Sequence, residues 1–210
     1  MVHADSSHFA SGMSKTEVYG QVLEQATALF DGQRNWVRGT GTGALSGMMT
    51  LTLSRRLGVM VVQQNLTNLL LDSNFSNAAA LLWHAYHSLP APSSAVNWSG
   101  FYFTDPSNPR KLILGPFQGQ VACQAIAFGR GVCGAAAETK VTQLVEDVEK
   151  FPGHIACDGA SKSEVVVPIV KDGKTVAIID IDCAELNGFN DEDQVALEEL
   201  ARLLAESCDF

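Results

Sequence analysis

Two apolar stretches in the C-terminal third of the chain, residues 164–170 and 175–183, are separated by Lys171-Asp172-Gly173-Lys174. Both stretches are rich in valine and isoleucine, which pack well on a pleated surface. An Asp-Gly pair between two such runs is a strong signal for a two-residue type I′ turn. The sequence therefore predicts a β-hairpin here, and an antiparallel sheet built around it.

Along the chain, helices are predicted before, between and after the strands of this sheet. Helical spacing of apolar residues begins after Ser14, which forms a capping box with Glu17, and should stop near Asp31-Gly32. Further helices are predicted at residues 74–89, 132–139 and 191–207, the last with Asn190 as its N-cap. Short strands are predicted at residues 97–104, 111–114, 121–128 and 141–145. This order indicates an α+β domain with a central antiparallel sheet and its N- and C-terminal helices packed on one face.

Composition narrows the class of protein. The 210 residues, 46% of them hydrophobic, suffice for one domain with a full core. A net charge of -9 argues against nucleic acid or an anionic membrane surface as partner. No apolar run approaches the roughly 18 residues that would span a bilayer. Residues 1–13 are small and polar, lack signal-peptide features and are expected to be disordered.

Cys157 is the candidate nucleophile. It lies in a polar loop with Pro152, Gly153 and Gly159, and His154 and Lys162 are near it in sequence. A cation beside a thiol favours the thiolate, which is the form that attacks, and His154 is the candidate base. The alternative is that Cys157 is a small buried hydrophobe.

Cys123 and Cys133 precede Cys157 within a span of thirty-five residues. They are either structural thiols or the partners of a nucleophile in thiol–disulfide cycling. The odd count of five cysteines and the lack of any C-x-x-C motif suit a reducing cytoplasm. Nine and twenty-three intervening residues between these three cysteines argue against zinc.

Carboxylates interrupt the second strand of the hairpin. Strand alternation places Asp180 and Asp182 on one face, with Val176 and Ile178, and Glu164 begins the preceding strand. The acids are either solvated at a strand end, or they form a pocket that holds a cation or keeps one carboxyl group protonated. A regular ladder would pair Glu164 with Ile181, on the opposite face. Three acids in one pocket therefore require a break in strand parity, for which Pro168 is the expected place.

Taken together, these residues resemble the free methionine-(R)-sulfoxide reductases, a family of single GAF domains. The matching segments are residues 15–19 (KTEVY), 97–102 (NWSGFY), 115–119 (GPFQG), 129–134 (GRGVCG), 151–158 (FPGHIACD) and the run from 162–164 (KSE) to 180–182 (DID). They extend over nearly the whole chain from Ser14 and include all three clustered cysteines.

The resemblance implies a role for each matching residue. Cys157 is the expected catalytic thiol, Cys123 its resolving partner and Cys133 an auxiliary or second resolving cysteine. Glu164, Asp180 and Asp182 are expected to line the substrate pocket, and Trp98 and Tyr102 to form its aromatic wall. The implied reaction reduces free methionine-(R)-sulfoxide without a cofactor or metal, through a sulfenic acid and a disulfide that thioredoxin resets. The alternative is a non-catalytic GAF module that senses a small ligand or redox state.

The chain departs from the family pattern between residues 38 and 73, where the family has only a few residues. The expected domain therefore runs from residue 14 to 208, with an insertion at about 38–73. A homodimer is compatible with the sequence, which does not fix the oligomeric state.

Overall fold

The computed structural model describes residues 8–32, 35–36, 73–155, 157 and 159–210. In this part of the chain the helices are α1 (Lys15–Phe30), α2 (Ser73–Ser88), α3 (Gly131–Thr139) and α4 (Asp191–Ser207). The strands are β1 (Asn35–Trp36), β2 (Val96–Asp105), β3 (Asn108–Gly119), β4 (Ala125–Ala127), β5 (Gln143–Val145), β6 (Ser163–Lys171), β7 (Lys174–Cys183) and β8 (Cys208–Asp209). None of the helices described is long and apolar enough to cross a membrane.

A six-stranded sheet in the order β4-β3-β2-β7-β6-β5 forms the centre of the domain, and all of its neighbouring strands are antiparallel. The predicted hairpin forms the fourth and fifth strands of this order, with Lys171 paired to Lys174 across the Asp172-Gly173 turn. The predicted α+β class and antiparallel sheet are confirmed. Two strand predictions were wrong in length: β3 is much longer than 111–114, and only Ala125–Ala127 of 121–128 pairs as a strand.

Helices α1, α2 and α4 cover one face of the sheet, as predicted for the terminal helices. Their apolar stripes bury the sheet residues that point to that side, which include Phe101, Phe103, Val165, Val167, Ile179 and Ile181. The predicted caps are present, since Ser14 and Glu17 form a capping box on α1 and Asn190 accepts from the backbone of Glu192 and Asp193. The apolar contacts and caps hold α1, α2 and α4 on this side of the sheet, and α3 lies on the other face.

A buried carboxylate ties the three helices together. Asp193 is fully buried and accepts a hydrogen bond from Tyr19 Oη at 2.6 Å. It also forms an ion pair with Lys15 Nζ at 2.6 Å. Tyr86 Oη lies 3.3 Å from the same carboxylate and in hydrogen-bond contact with Tyr19 Oη. Because a buried charge needs partners, this cluster fixes the relative positions of α1, α2 and α4.

A smaller cluster lies on the opposite face, under α3. It is built from Trp98, Tyr102, Leu112, Ile126, Val132, Cys133, Ala136, Ala137, Val145, Val148, Val166 and Ile178. Ile178 thus lies on the face predicted for it. Val176, predicted to share that face, packs instead against the helical core.

The reason is a β-bulge. From Glu164↔Asp182 to Ile169↔Ala177 the β6–β7 ladder is regular, but the next pair is Val170↔Thr175, so Val176 is an extra residue on β7. The predicted parity break is therefore present, but its extra residue lies on β7, beyond the interval between Glu164 and Lys174 in which it was predicted. The expected place was wrong, since Pro168 pairs in register with Ile178. The extra residue reverses the facing of every β7 side chain beyond it relative to β6.

Part of the predicted domain organisation lies outside the described residues. The expected disorder of residues 1–13 stays a prediction for residues 1–7, whereas Phe9 and Met13 are partly buried against the helical core. The predicted insertion at 38–73 also lies outside the described residues, except for Ser73, which begins α2.

Candidate active site

The three predicted acids meet on the face of the sheet that α3 covers. Glu164 on β6 lies directly opposite Asp182 on β7, and Asp182 lies opposite Trp98 on β2. Asp180 occupies the next row and lies opposite Gly100 and Val166. Directly paired residues in a sheet point to the same side. The bulge at Val176 is therefore what brings Glu164 and the two aspartates together.

Cys133 lies above these acids, because the first turn of α3 places it over β6 and β7. Its Sγ donates to Asp180 Oδ2 at 3.2 Å and to Glu164 Oε1 at 3.5 Å. Cys133 is 6% exposed, and Glu164 and Asp180 are each 5% exposed. A thiol and two carboxyl groups thus share one buried cluster.

Burial and mutual repulsion make these groups resist ionisation. Loss of solvation raises the pKa of Asp180 to about 6. It also raises the pKa of Glu164, to which the charges of Asp180 and Asp182 add. Burial, followed by the Asp180 and Glu164 charges, raises the pKa of the Cys133 thiol well above its usual range. The cluster therefore favours protonated side chains that can donate hydrogen bonds or protons.

Aromatic side chains form one wall of the same cavity, as the resemblance implies. The Trp98 ring stacks on Tyr102 and on Phe117, with centroids 5.8 and 5.3 Å apart. Tyr102 Oη donates to the backbone oxygen of Cys123 at 3.0 Å, and burial raises the pKa of this hydroxyl. The aromatic wall is therefore linked directly to the segment that carries Cys123.

Cys123 and Cys157 are joined by a disulfide, with their Cα atoms 5.3 Å apart. The pairing implied by the resemblance is confirmed. Cys133, Cys183 and Cys208 are free thiols, and all three are buried. Of these, only Cys133 lines the cavity beside the disulfide.

The basic groups near Cys157 in sequence are placed differently in space. His154 lines the cavity with Nε2 3.9 Å from Glu164 Oε2, and burial lowers its pKa, which favours the neutral imidazole. Lys162 Nζ lies 3.7 Å from Glu185 Oε2. This contact pairs Lys162 with Glu185, so it does not support the predicted stabilisation of a Cys157 thiolate by Lys162.

Glycines allow α3 to approach the sheet. A Cβ on Gly134 would lie 2.4 Å from the Ala127 backbone oxygen, so only glycine fits there. Gly131, at φ +62°, is covered by the side chain of Ile155. The glycines at 129, 131 and 134, which resemble a dinucleotide-binding motif, thus serve a turn and a close packing contact.

The cavity also contains residues that sequence reasoning did not select. Its lining includes Ile126, Arg130, Ile155 and Ser161. Arg130 lies between Gly129 and Gly131 at the start of α3. These flanking glycines were the sequence signal that could have identified it. Ser161 Oγ accepts from Asn97 Nδ2 at 3.1 Å and so connects the Cys157 loop to β2.

Comparison with known proteins agrees with this site. A GAF domain family model matches residues 78–207. The free methionine-R-sulfoxide reductase of Saccharomyces cerevisiae is 46% identical over 209 residues, which cover 99% of this chain and 95% of the yeast protein. The free methionine-R-sulfoxide reductase of Escherichia coli is 41% identical and covers 63% of this chain and 74% of its own length.

Solved structures give the same result. One described as a structure of the GAF domain superposes with a TM-score of 0.78 at 45% identity, covering 100% of this chain and 98% of its own. The free methionine-R-sulfoxide reductase of Neisseria meningitidis, solved in complex with its substrate, superposes with a TM-score of 0.71 at 32% identity, covering 95% and 93%. The GAF match over residues 78–207 and the 46% identity to the yeast reductase over 99% of this chain show that the chain belongs to the GAF-domain family of free methionine-R-sulfoxide reductases.

Proposed function

We propose that this protein reduces free methionine-(R)-sulfoxide to methionine, with Cys157 as nucleophile and Cys123 as resolving thiol. The observation that carries the proposal is the Cys123–Cys157 disulfide, whose Cys157 lines the same cavity as Glu164, Asp180 and Asp182. A redox pair beside protonatable acids is the combination that sulfoxide reduction needs.

The chemistry proceeds in three steps. The Cys157 thiolate attacks the sulfoxide sulfur while a carboxyl group protonates the oxygen, because an unprotonated sulfoxide is a poor electrophile. Methionine leaves, and the oxygen stays on Cys157 as a sulfenic acid. The Cys123 thiol then displaces this oxygen as water and forms the disulfide. The sulfoxide has gained two electrons, which the two thiols supplied.

Glu164 and Asp180 are the proposed proton donors and Cys133 an auxiliary thiol. Both carboxyl groups are buried, and this burial raises the pKa of each, so they hold a proton more readily than exposed carboxyl groups do. The acid cluster also suits the ammonium group of a free amino acid. A peptide-bound methionine sulfoxide has no such group, so the same cluster would select the free substrate. Trp98 and Tyr102 provide the apolar wall.

The disulfide form belongs to the end of this cycle. In it, the enclosed part of the cavity measures about 30 Å³, which holds two water molecules but no whole amino acid. Reduction of the disulfide would separate Cys157 from Cys123 and enlarge the cavity. Thioredoxin is the proposed dithiol that does this, and a cytoplasmic location suits the three free cysteines. A homodimer remains a hypothesis for size-exclusion measurement.

The deciding experiment is turnover of free methionine-(R)-sulfoxide with dithiothreitol. The free S diastereomer and a blocked, peptide-like R sulfoxide serve as control substrates, and both should react at least tenfold more slowly. Cys157→Ser should abolish turnover. Cys183→Ser should keep it, because Cys183 is buried against the helical core. No turnover of the R sulfoxide by a folded, reduced protein would favour a GAF module that only binds a ligand.

A further inference from the structure

Three potential metal ligands from separate elements converge in the cavity. The Sγ of Cys133 on α3, a carboxylate oxygen of Glu164 on β6 and one of Asp180 on β7 all lie within 4.8 Å of one another. The spacing of Cys123, Cys133 and Cys157 in the sequence argues against a zinc site made of these three cysteines. The structure assembles a different donor set, with one sulfur and two oxygens.

One of these donors has a lone pair without a partner. Asp180 Oδ2 accepts from Cys133, but Asp180 Oδ1 has no hydrogen-bond partner among the described residues, and the residue is 5% exposed. A buried carboxylate oxygen left unsatisfied costs about 1–3 kcal/mol or more. Because Asp180 lines the cavity, an occupant that accepts this lone pair would remove that cost.

The separations already match those of a tetrahedral site. With zinc–sulfur bonds of about 2.3 Å and zinc–oxygen bonds of about 2.0 Å, sulfur and oxygen ligands lie roughly 3.5 Å apart. The Cys133 Sγ is 3.2 Å from Asp180 Oδ2 and 3.5 Å from Glu164 Oε1. Replacement of the thiol proton by an ion therefore requires little movement. His154 Nε2 lies 3.9 Å from Glu164 Oε2, outside the group of three convergent donors, and would have to move closer to serve as a fourth ligand.

The size of the cavity selects an ion in the disulfide form. A cavity of about 30 Å³ has room for one ion or about two water molecules beside the donor atoms, but not for a whole amino acid. A thiolate among the donors favours zinc, cobalt or cadmium over magnesium and calcium, which prefer oxygen ligands in larger number.

We propose that the disulfide form of this protein binds one thiophilic divalent cation, of the zinc class, through Cys133, Glu164 and Asp180. The cation displaces the thiol proton to solvent and occupies the position proposed for the substrate ammonium group. This inference concerns binding alone and stands or falls independently of turnover.

The test is a titration of the fully oxidised, full-length protein with CoCl2 in the absence of oxygen and reductant. A thiolate-to-cobalt charge-transfer band in the near ultraviolet should grow to one equivalent, and one equivalent of ZnCl2 should remove it. In the disulfide form only Cys133, Cys183 and Cys208 have free thiols, so the variants can assign the band. Cys133→Ser should abolish it, whereas Cys183→Ser and Cys208→Ser should retain it.

A second variant and a second readout protect the result against misfolding. Asp180→Asn keeps every thiol and should weaken cobalt binding at least tenfold. Zinc should raise the unfolding temperature of the oxidised wild type and not that of Cys133→Ser, with circular dichroism as the check that each variant is folded. The proposal is overturned if no band forms, if it persists in Cys133→Ser, or if Asp180→Asn binds as tightly as wild type.

Discussion

Asp180→Asn should make the protein more stable and less active. The side chain is buried, and its Oδ1 has no partner among the described residues. Raising its pKa from 3.8 to about 6 costs the folded protein about 3 kcal/mol at pH 7. Asparagine has nearly the same shape but carries no charge, so it should recover most of this free energy. The stabilisation should also include relief of Glu164, which loses a charged neighbour.

The pH dependence gives the sign of the effect. Because the pKa of Asp180 is raised in the folded state, folding favours its protonated form. The free energy of unfolding that this group supports is fully present below pH 3.8. It is lost as the pH rises through about 6. The gain from Asp180→Asn should therefore be about 3 kcal/mol at pH 7, about 1–2 kcal/mol at pH 5, and near zero below pH 4.

Activity should change in the opposite direction. Loss of a charge-assisted hydrogen bond to the substrate ammonium group is worth about 1.5–3 kcal/mol, or roughly ten- to 150-fold in kcat/KM. Stability is measured by urea denaturation from pH 4 to 8 with a chelator present, and activity by dithiothreitol-driven turnover. Asp105→Asn is the control, because hydrogen bonds from Ser107 lower the pKa of the half-buried Asp105, and loss of this carboxylate should not stabilise the protein. A variant that is less stable than wild type at pH 7, or whose gain does not shrink on acidification, would refute the reasoning.

Three further changes test the way the fold builds the site. Deleting Val176 should turn the β7 aspartates toward the helical core, abolish turnover and lower the urea midpoint, whereas Val176→Ala keeps the bulge and should stay active. The Cβ of Gly134→Ala would lie 2.4 Å from the Ala127 oxygen, so this variant should destabilise the protein by about 1–3 kcal/mol and lower kcat/KM. Gly20→Ala is its control: Gly20 has open space around it, and the variant should stabilise α1 by about 0.5–1 kcal/mol. Replacing residues 40–70 by a short Gly/Ser linker should keep or raise the yield of soluble, active protein, and an unfolded product would place that segment in the core.

Local sequence signals predicted the elements of this fold well. The Asp172-Gly173 turn, the Ser14–Glu17 capping box and the Asn190 cap all depend on residues a few positions apart, and each is present. The length of β3 was not predictable in this way. Its pairing runs along β2 as far as Gly119, and such pairing depends on the partner strand.

The position of the bulge shows where local reasoning stops. The sequence required a parity break, because three acids were expected in one pocket, but it favoured Pro168. In the structure the break adjoins Thr175, whose Oγ1 donates to the Ala137 oxygen at the end of α3 and whose own oxygen accepts from Thr104 Oγ1 on β2, both at 2.8 Å. These contacts join residues that are far apart in sequence, so no local pattern could have shown them.

The same limit explains Cys133. From sequence it was one of three clustered cysteines, and its expected role was that of an auxiliary or resolving thiol. The structure places its sulfur against Glu164 and Asp180, because Gly134 lets α3 lie close to the sheet. That contact depends on a helix crossing two strands, and it changes the relevant partners of Cys133 from thiols to carboxyl groups.

The buried acid cluster acts against stability in the free protein, and the bulge at Val176 and the Gly134 contact are the features that assemble it. Without the extra residue at Val176, Glu164 would lie opposite Ile181 and on the other side of the sheet from Asp180. Without Gly134, α3 would stand farther from the acids. Both features gather a thiol and carboxyl groups into a space with little water, where burial raises the pKa of each group. A fold selected for stability alone has no use for such a cluster, whereas a site that must hold a proton or a cation depends on it.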